Sequence, residues 1–291
     1  MKKTGPDISG FLLINKPQGL TSFDVIRRLK RITGISKIGH TGTLDPFATG
    51  LMVYCINRYT RIANLLEKAD KSYKAVMVFG SATDTGDNTG TVVQTAPVDI
   101  DESMVQTLPE AILQLSNLHI QQYSAVKIDG KRAYEYARNN VTVEIPDRDV
   151  KIHSFELIQI DPQSLEYRCK VSKGTYIRSL SEWIARYLGT EGHTVELTRE
   201  SIGDIALPLA TDLADINEDN WQAKLFPAID LLRDFEPFEA DQASLNTMFN
   251  GQSIASVGID NPSVIVYDAI GSVRCIAFRK DGALCPKMNL G

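Results

Sequence analysis

The chain has 291 residues, 43% of them hydrophobic and 23% charged, an ordinary globular composition with a length prior of about two domains. No apolar run approaches the roughly 20 residues that cross a bilayer, and the opening MKKTGPDISG lacks the apolar stretch of a signal peptide, so a cytoplasmic protein without a membrane partner is expected. The net charge of −5 argues against a nucleic-acid partner only superficially: residues 1–74 hold 13 Lys/Arg against 5 Asp/Glu, a local +8, whereas residues 203–291 hold 6 against 13, a local −7.

Phosphate attraction is screened over about 10 Å, so the local balance matters more than the total, although a solvated basic face fits it equally well. The four cysteines (55, 169, 275, 285) and four histidines (40, 119, 153, 193) are scattered, which implies buried thiols and neither a zinc site nor a disulfide framework.

In chain order, residues 11–15 read as a strand and 16–19 as its turn. Thr21 and Asp24 then form a helix start, with a hydroxyl at the cap and a carboxylate three residues on. Val25, Leu29 and Ile32 share one face, Arg27, Arg28, Lys30 and Arg31 the other, and Gly34 ends the helix. Residues 39–50 pack three glycines and a proline into twelve positions, too many for regular structure, and surround a single acid, Asp45. Such a loop lets a ligand backbone approach closely, but no GK[ST] follows, so it is not a P-loop. A structural turn capped by Asp45 is an equal alternative.

A strand over 51–56 and a helix over 60–68 follow. Residues 73–79 alternate as a half-buried strand does, with Tyr73, Ala75, Met77 and Phe79 on one side. The polar 81–90 stretch reads as an Asx-rich loop; Asp84, Asp87 and Asn88 lack the spacing of a calcium loop. Residues 101–115 form an amphipathic helix, Asp129-Gly130 a turn and 132–139 a short helix. The segment 127–138 interleaves Lys127, Lys131, Arg132 and Arg138 with Tyr134 and Tyr136. Cations for phosphates and rings for bases suit loop RNA, and an exposed helix with packed tyrosines carries equal weight. Paired strands over 150–160 and 165–171 lead to a junction, 172–178, whose free N–H groups, Lys173 and Arg178 suit an anion, or simply start a surface helix over 175–188. After 235 the strands 263–267, 273–278 and 282–286 suggest a small β-rich unit. Strands and helices alternate irregularly before it, which favours an α+β fold with a mixed or antiparallel sheet.

The strings GFLLINKPQGLTSFDV, KIGHTGTLDPFATGLM, KADKSYKAVMVFG with TDTGD, YSAVKIDGKRAYEYAR, SKGTYIRSL and HTVELTRESIG occur in order over residues 10–213. Together they resemble the TruB family of tRNA pseudouridine synthases. The ending VRCIAFRKDGALCPKMNL resembles a PUA RNA-binding domain less closely. The resemblance implies a pseudouridine synthase domain over 1–233 with flanking helices, an RNA-gripping insertion over 119–147 and a PUA-like domain over 234–291. It implies a monomer acting on the T-arm stem-loop of tRNA, at position 55.

By the same resemblance, Asp45 matches the family's catalytic aspartate and Arg178 the arginine paired with it. Tyr73 matches the tyrosine stacked on the target base, Tyr176 a second aromatic, and His40 the residue that takes the place of the flipped base. Lys16 and Pro17 match a motif that supports the loop. Lys127, Lys131 and Arg132 are expected on the RNA. The reaction breaks N1–C1′, turns the uracil and joins C5 to C1′, without net redox change or group donor, so neither cofactor nor metal is expected. Asp45 would attack the sugar or abstract a ribose proton. Extruding the base costs a few kcal/mol and stacking returns about 1–3 kcal/mol. A non-catalytic RNA-binding protein on the same scaffold is the rival, disfavoured by the presence of Asp45, Tyr73 and Arg178. The chain departs from the family at Leu118–Gln122, where two prolines are usual and whose loss is expected to loosen the insertion, at Thr198 in place of arginine, and at Asn15 in place of aspartate.

Overall fold

The computed structural model describes residues 8–139, 141–255, 258 and 261–290. Its larger sheet runs Ile152–Asp161, Ser164–Val171, Lys71–Phe79, Gly192–Ile202, Thr49–Ile56, Gly10–Lys16 and Thr211–Asp212 in spatial order. Most neighbours are antiparallel, but Thr49–Ile56 lies parallel to Gly192–Ile202 and Gly10–Lys16 parallel to Thr211–Asp212, so the sheet is mixed and the fold α+β.

The two apolar strands divide their side chains by period 2 between two cores. Leu12, Ile14, Met52, Tyr54 and Ile56 face one core, with Val25 and Leu29 of the Ser22–Thr33 helix and Leu180 and Ile184 of the Ile177–Tyr187 helix. Phe11, Leu13, Leu51, Val53 and Cys55 face the other. Burial on both faces explains why these strands read as continuous apolar runs, whereas Lys71–Phe79 alternates.

The helix start at Thr21 forms as its sequence dictates. Asp24 N donates to Thr21 Oγ1 at 3.0 Å and Thr21 N to the Asp24 carboxylate at 2.9 Å, while Gly34 closes the helix with φ 68°. Several expected elements differ. The helix over 60–68 is a 3₁₀ turn, Asn57–Ile62, followed by Ala63–Glu67; Asn57 takes φ 49° and Thr60 Oγ1 donates back to its carbonyl, tightening the turn. The 81–90 loop begins with Ser81–Thr83, paired to Val92–Thr95. Strand structure enters both ends of the 39–50 stretch, at Ile38–His40 and Thr49–Ile56, leaving 41–48 as loop. The Gly192–Ile202 strand has no expected counterpart, because its polar positions find partners only across the sheet, as Arg199 does on Leu51 O and Glu200 on Arg168.

The insertion rises on a two-residue ladder, Asn117–Leu118 against Arg148–Asp149, and carries a small core of Ile120, Ala133 and Ile145. Its tip is a hairpin, Lys127–Ile128 against Lys131–Arg132, turned by Asp129 and Gly130 at φ 49° and 84°. Beyond residue 235 a five-stranded sheet holds Glu236–Glu239, Ser263–Tyr267, Val273–Lys280, Ala283–Asn289 and Ile254–Ala255. It docks on the main sheet: Ile265, Val273, Ile276 and Leu290 share the second core, and Val273 N donates to Tyr59 Oη at 2.8 Å. No helix of the described residues is long and apolar enough to cross a membrane.

Gly50 sits where the parallel strand meets the 41–48 loop, with φ 109° and Arg199 as its register partner. A Cβ there would collide with the backbone nitrogen and carbonyl oxygen of Arg199. Gly50→Ala is expected to cost about 2–4 kcal/mol of stability, read as a lower urea midpoint at unchanged slope. A wild-type midpoint would mean that the strand pair opens there without penalty.

Candidate active site

The 41–48 loop is held by groups far from it in sequence. Ser22 Oγ accepts from Leu44 N at 3.0 Å and donates to Leu44 O at 3.1 Å. Gly19 N donates to Pro46 O at 2.7 Å. Lys16 lies wholly buried beneath the loop, its Nζ donating to Pro17 O and Leu20 O at 2.9 and 2.8 Å and reaching Pro46 O at 3.4 Å. Burial pushes its ammonium down to about 8. Arg199 donates from Nε to Leu51 O at 2.7 Å and from Nη1 to Thr43 O at 3.4 Å.

Asp45, at the centre of this loop, keeps its side chain 34% exposed, against 4% for that of its partner Arg178. Arg178 Nε lies 3.0 Å from Asp45 Oδ2, an ion pair that is out of line for a hydrogen bond. The guanidinium also stands 3.6 Å from Asp87 Oδ2, donates to Thr85 O, and donates from Nη2 to Tyr123 O at 3.0 Å. Asp87 is itself buried, accepting from Thr89 N and Thr85 Oγ1 at 2.9 Å each and from Thr89 Oγ1 at 2.5 Å. A buried guanidinium needs opposite charge and hydrogen-bond acceptors; these three segments supply two carboxylates and two carbonyls, and Nε beside Asp45 is left without a hydrogen bond.

The cleft in front of Asp45 encloses about 620 Å³. His40, Asp45, Tyr73, Arg132, Tyr176 and Arg178 all line it. Tyr73 comes from the Lys71–Phe79 strand, and Tyr176 from the N-terminal cap of the Ile177–Tyr187 helix, where burial raises its phenol above the ordinary tyrosine range. Burial lowers the imidazole of His40, whose Nδ1 accepts from Gly42 N at 3.3 Å. Exposed cations on the rim include Lys68, Arg148 and Lys173. The arrangement offers a reachable carboxylate paired with a guanidinium, with Glu67 as a second acid on the lining, aromatic faces for a planar heterocycle and cations for phosphates.

The remaining expected residues lie elsewhere. Lys16 does not line the cleft, because it spends its donors on backbone carbonyls below the loop. Lys127 and Lys131 are exposed on the arm hairpin, Lys131 over the Tyr136 ring at 6.0 Å. Sequence reasoning named Asp87 only as part of an Asx-rich loop and gave Arg199 no role; the two acids of the TDTGD string were the available signal for the first. Where two prolines are usual, Gln122 ties the arm: Val143 N donates to its Oε1 at 3.0 Å and its Nε2 donates to Val143 O at 2.7 Å. The expected loosening of the arm is therefore opposed by a two-point side-chain bridge. Thr198 Oγ1 meets Thr49 Oγ1 at 2.9 Å, and Asn15 Nδ2 donates to Asp212 Oδ1 at 2.7 Å.

A model of the N-terminal domain of TruB family pseudouridylate synthases matches residues 30–177. The tRNA pseudouridine synthase B of Caldanaerobacter subterraneus subsp. tengcongensis is 37% identical over 286 residues, 96% of this chain and 98% of that protein. That of Syntrophobacter fumaroxidans is 41% identical over 231 residues, 77% of this chain and 75% of its own. Among solved structures, one of an H/ACA RNP bound to a substrate RNA containing 2′-deoxyuridine has a chain that superposes with TM-score 0.69 at 20% identity, covering 97% of this chain and 85% of that one. The archaeal box H/ACA sRNP Nop10-Cbf5 complex gives 0.67 at 21%, covering 97% and 86%. At these identities the two structures share the fold.

Removing Asp87 would leave the Arg178 guanidinium with one half-exposed carboxylate. Asp87→Ala is expected to lose about 3 kcal/mol of stability in urea unfolding, with a smaller loss for Asp87→Asn, which keeps the shape. Equal stability of Asp87→Ala and wild type would show that Arg178 does not depend on this partner.

Proposed function

The chain belongs to the TruB family of pseudouridylate synthases, and from that premise we propose that it isomerises uridine to pseudouridine in tRNA, at position 55 of the T-loop, with Asp45 as the reacting carboxylate. The observation that carries this reading is the Asp45–Arg178 pair, 3.0 Å apart at the floor of a cleft walled by Tyr73, Tyr176 and His40. The uridine leaves the RNA stack and enters the cleft, where Tyr73 stacks on the uracil and His40 fills the vacated place in the RNA. The N1–C1′ bond breaks, the detached ring turns within the aromatic walls, and C5 bonds to C1′; the proton lost from C5 is balanced by one gained at N1. Asp45 acts on the ribose while Arg178 holds the carboxylate in place. The reaction needs no cofactor. The protein works as a monomer in the cytoplasm, and the five-stranded C-terminal unit is PUA-like.

Purified protein incubated with unmodified tRNA should yield pseudouridine mapped to the T-loop. Asp45→Asn should abolish turnover while RNA binding stays within about tenfold, or about 1.4 kcal/mol. Wild-type single-turnover rates in the variant would remove Asp45 from the chemistry.

RNA affinity is assigned to the arm and the cleft rim. The C-terminal unit is acidic, and its shared core with the main sheet makes surface substitution a cleaner test than truncation. Lys127→Ala with Arg132→Ala should reduce the slope of log K against log salt by about one to two units, each lost phosphate contact contributing about 0.7–0.9. Lys280→Ala with Lys287→Ala should leave the slope unchanged. The opposite pattern would put the RNA on the other side of the protein.

A further inference from the structure

Arg199 is buried to 2% exposure in the middle of the Gly192–Ile202 strand. Among the described residues no carboxylate pairs with it. A buried cation without a counter-charge is a poor way to stabilise a fold, since an apolar side chain would fill the same space at lower desolvation cost. What a guanidinium supplies that an apolar group cannot is a rigid fork of donors. Here the fork spans the reactive loop. Nε holds Leu51 O at 2.7 Å, where the loop re-enters the sheet, and Nη1 reaches Thr43 O at 3.4 Å, two residues before Asp45.

The backbone repeats this pinning. Arg199 pairs with Gly50 in the parallel ladder, and that contact is close enough to admit only glycine. On its other side Arg199 pairs with Tyr73. One residue therefore touches the loop that carries Asp45 at both ends and lies beside the strand position that carries the cleft tyrosine. Ser22 and Lys16 hold the carbonyls of Leu44 and Pro46 from below, so Arg199 completes the restraint of the backbone flanking Asp45.

We propose that Arg199 is a positioning residue for the isomerisation: its guanidinium clamps the carbonyls of Thr43 and Leu51 and thereby sets where the Asp45 carboxylate stands relative to Tyr73 and the bound uridine. This rests on the assignment of Asp45 as the reacting group. A carboxylate displaced by about 1 Å loses on the order of a hundredfold in rate. Arg199 should therefore act on the chemical step and spare RNA affinity.

The test compares wild type, Arg199→Lys and Arg199→Ala in single-turnover pseudouridine formation at saturating unmodified tRNA, with filter binding and urea unfolding run alongside. Arg199→Ala should be slower by about a hundredfold with Kd within about threefold, and Arg199→Lys, which can reach only one carbonyl, should fall between. Millimolar guanidinium should restore about tenfold or more to Arg199→Ala, because the ion can occupy the vacated fork and donate to both carbonyls. A side chain that serves only packing would slow the reaction in proportion to the unfolded fraction and would show no rescue; that result overturns the proposal. So does a raised Kd with an unchanged saturated rate, which would make Arg199 an RNA contact. If Arg199→Ala is not recovered folded, a wild-type rate in Arg199→Lys overturns it equally. An inactive wild type would instead refute the underlying assignment of Asp45, a distinct outcome.

Discussion

A single buried guanidinium, that of Arg178, constrains the rest of the site. It touches Asp45 in one loop, Thr85 and Asp87 in a second, and Tyr123 at the base of the arm. A cation taken from water at this depth needs opposite charge and hydrogen-bond acceptors. Each segment therefore adopts the conformation that presents one. The Thr83–Asp87 turn folds inward around Asp87, and the arm brings a carbonyl rather than a side chain. Asp45 remains the partner open to the cleft, so the charge that holds the site together also leaves the Asp45 carboxylate reachable from it.

The sheet makes this economy possible. Gly192–Ile202 runs between Lys71–Phe79 and Thr49–Ile56, placing Arg199 beside Tyr73 on one side and Gly50 on the other. The Asp45 loop is the continuation of one of these strands, and Tyr73 stands on another. Their relative positions follow from ladder register, which is rigid, and not from loop conformation, which is not. Buried cations at Lys71 and Arg199 line the cleft and Lys16 lies beneath its loop, and burial draws both lysines down to about 8. A protein of net charge −5 thus gathers cations at its cleft.

The arm and the C-terminal unit attach to this frame differently. The arm meets the cleft through small contacts, the Tyr123 carbonyl on Arg178 and the partly buried Tyr176 against Ile120, Ala133 and Ile145, with Gln122 bridging to Val143 within it. The C-terminal sheet instead shares a core with the far face of the main sheet. Each apolar side chain fully buried there contributes about 1.5–3 kcal/mol, so this unit is bound as part of the fold, whereas the arm is tied at a few points.

Sequence alone determined the features whose physics is local. The Thr21–Asp24 cap and Gly34 stop, the alternation of 73–79, the Asp129-Gly130 turn and the glycine-rich loop around Asp45 each depend on residues within a few positions of one another. The strings shared with a known family carried the candidate site, and Asp45, Tyr73, Tyr176, Arg178, His40 and Arg132 do line one cleft. Tertiary structure decided the rest. Gly192–Ile202 is a strand because Arg199 and Glu200 find partners across the sheet, at Leu51 and Arg168. Asp87 is a counter-charge because Arg178 arrives from 91 positions away. Lys16 lies under the loop because three carbonyls converge on its ammonium. A polar residue in a strand or turn reads as solvent-facing in one dimension; whether it is buried depends on partners brought to it by pairing and packing, which no local pattern contains.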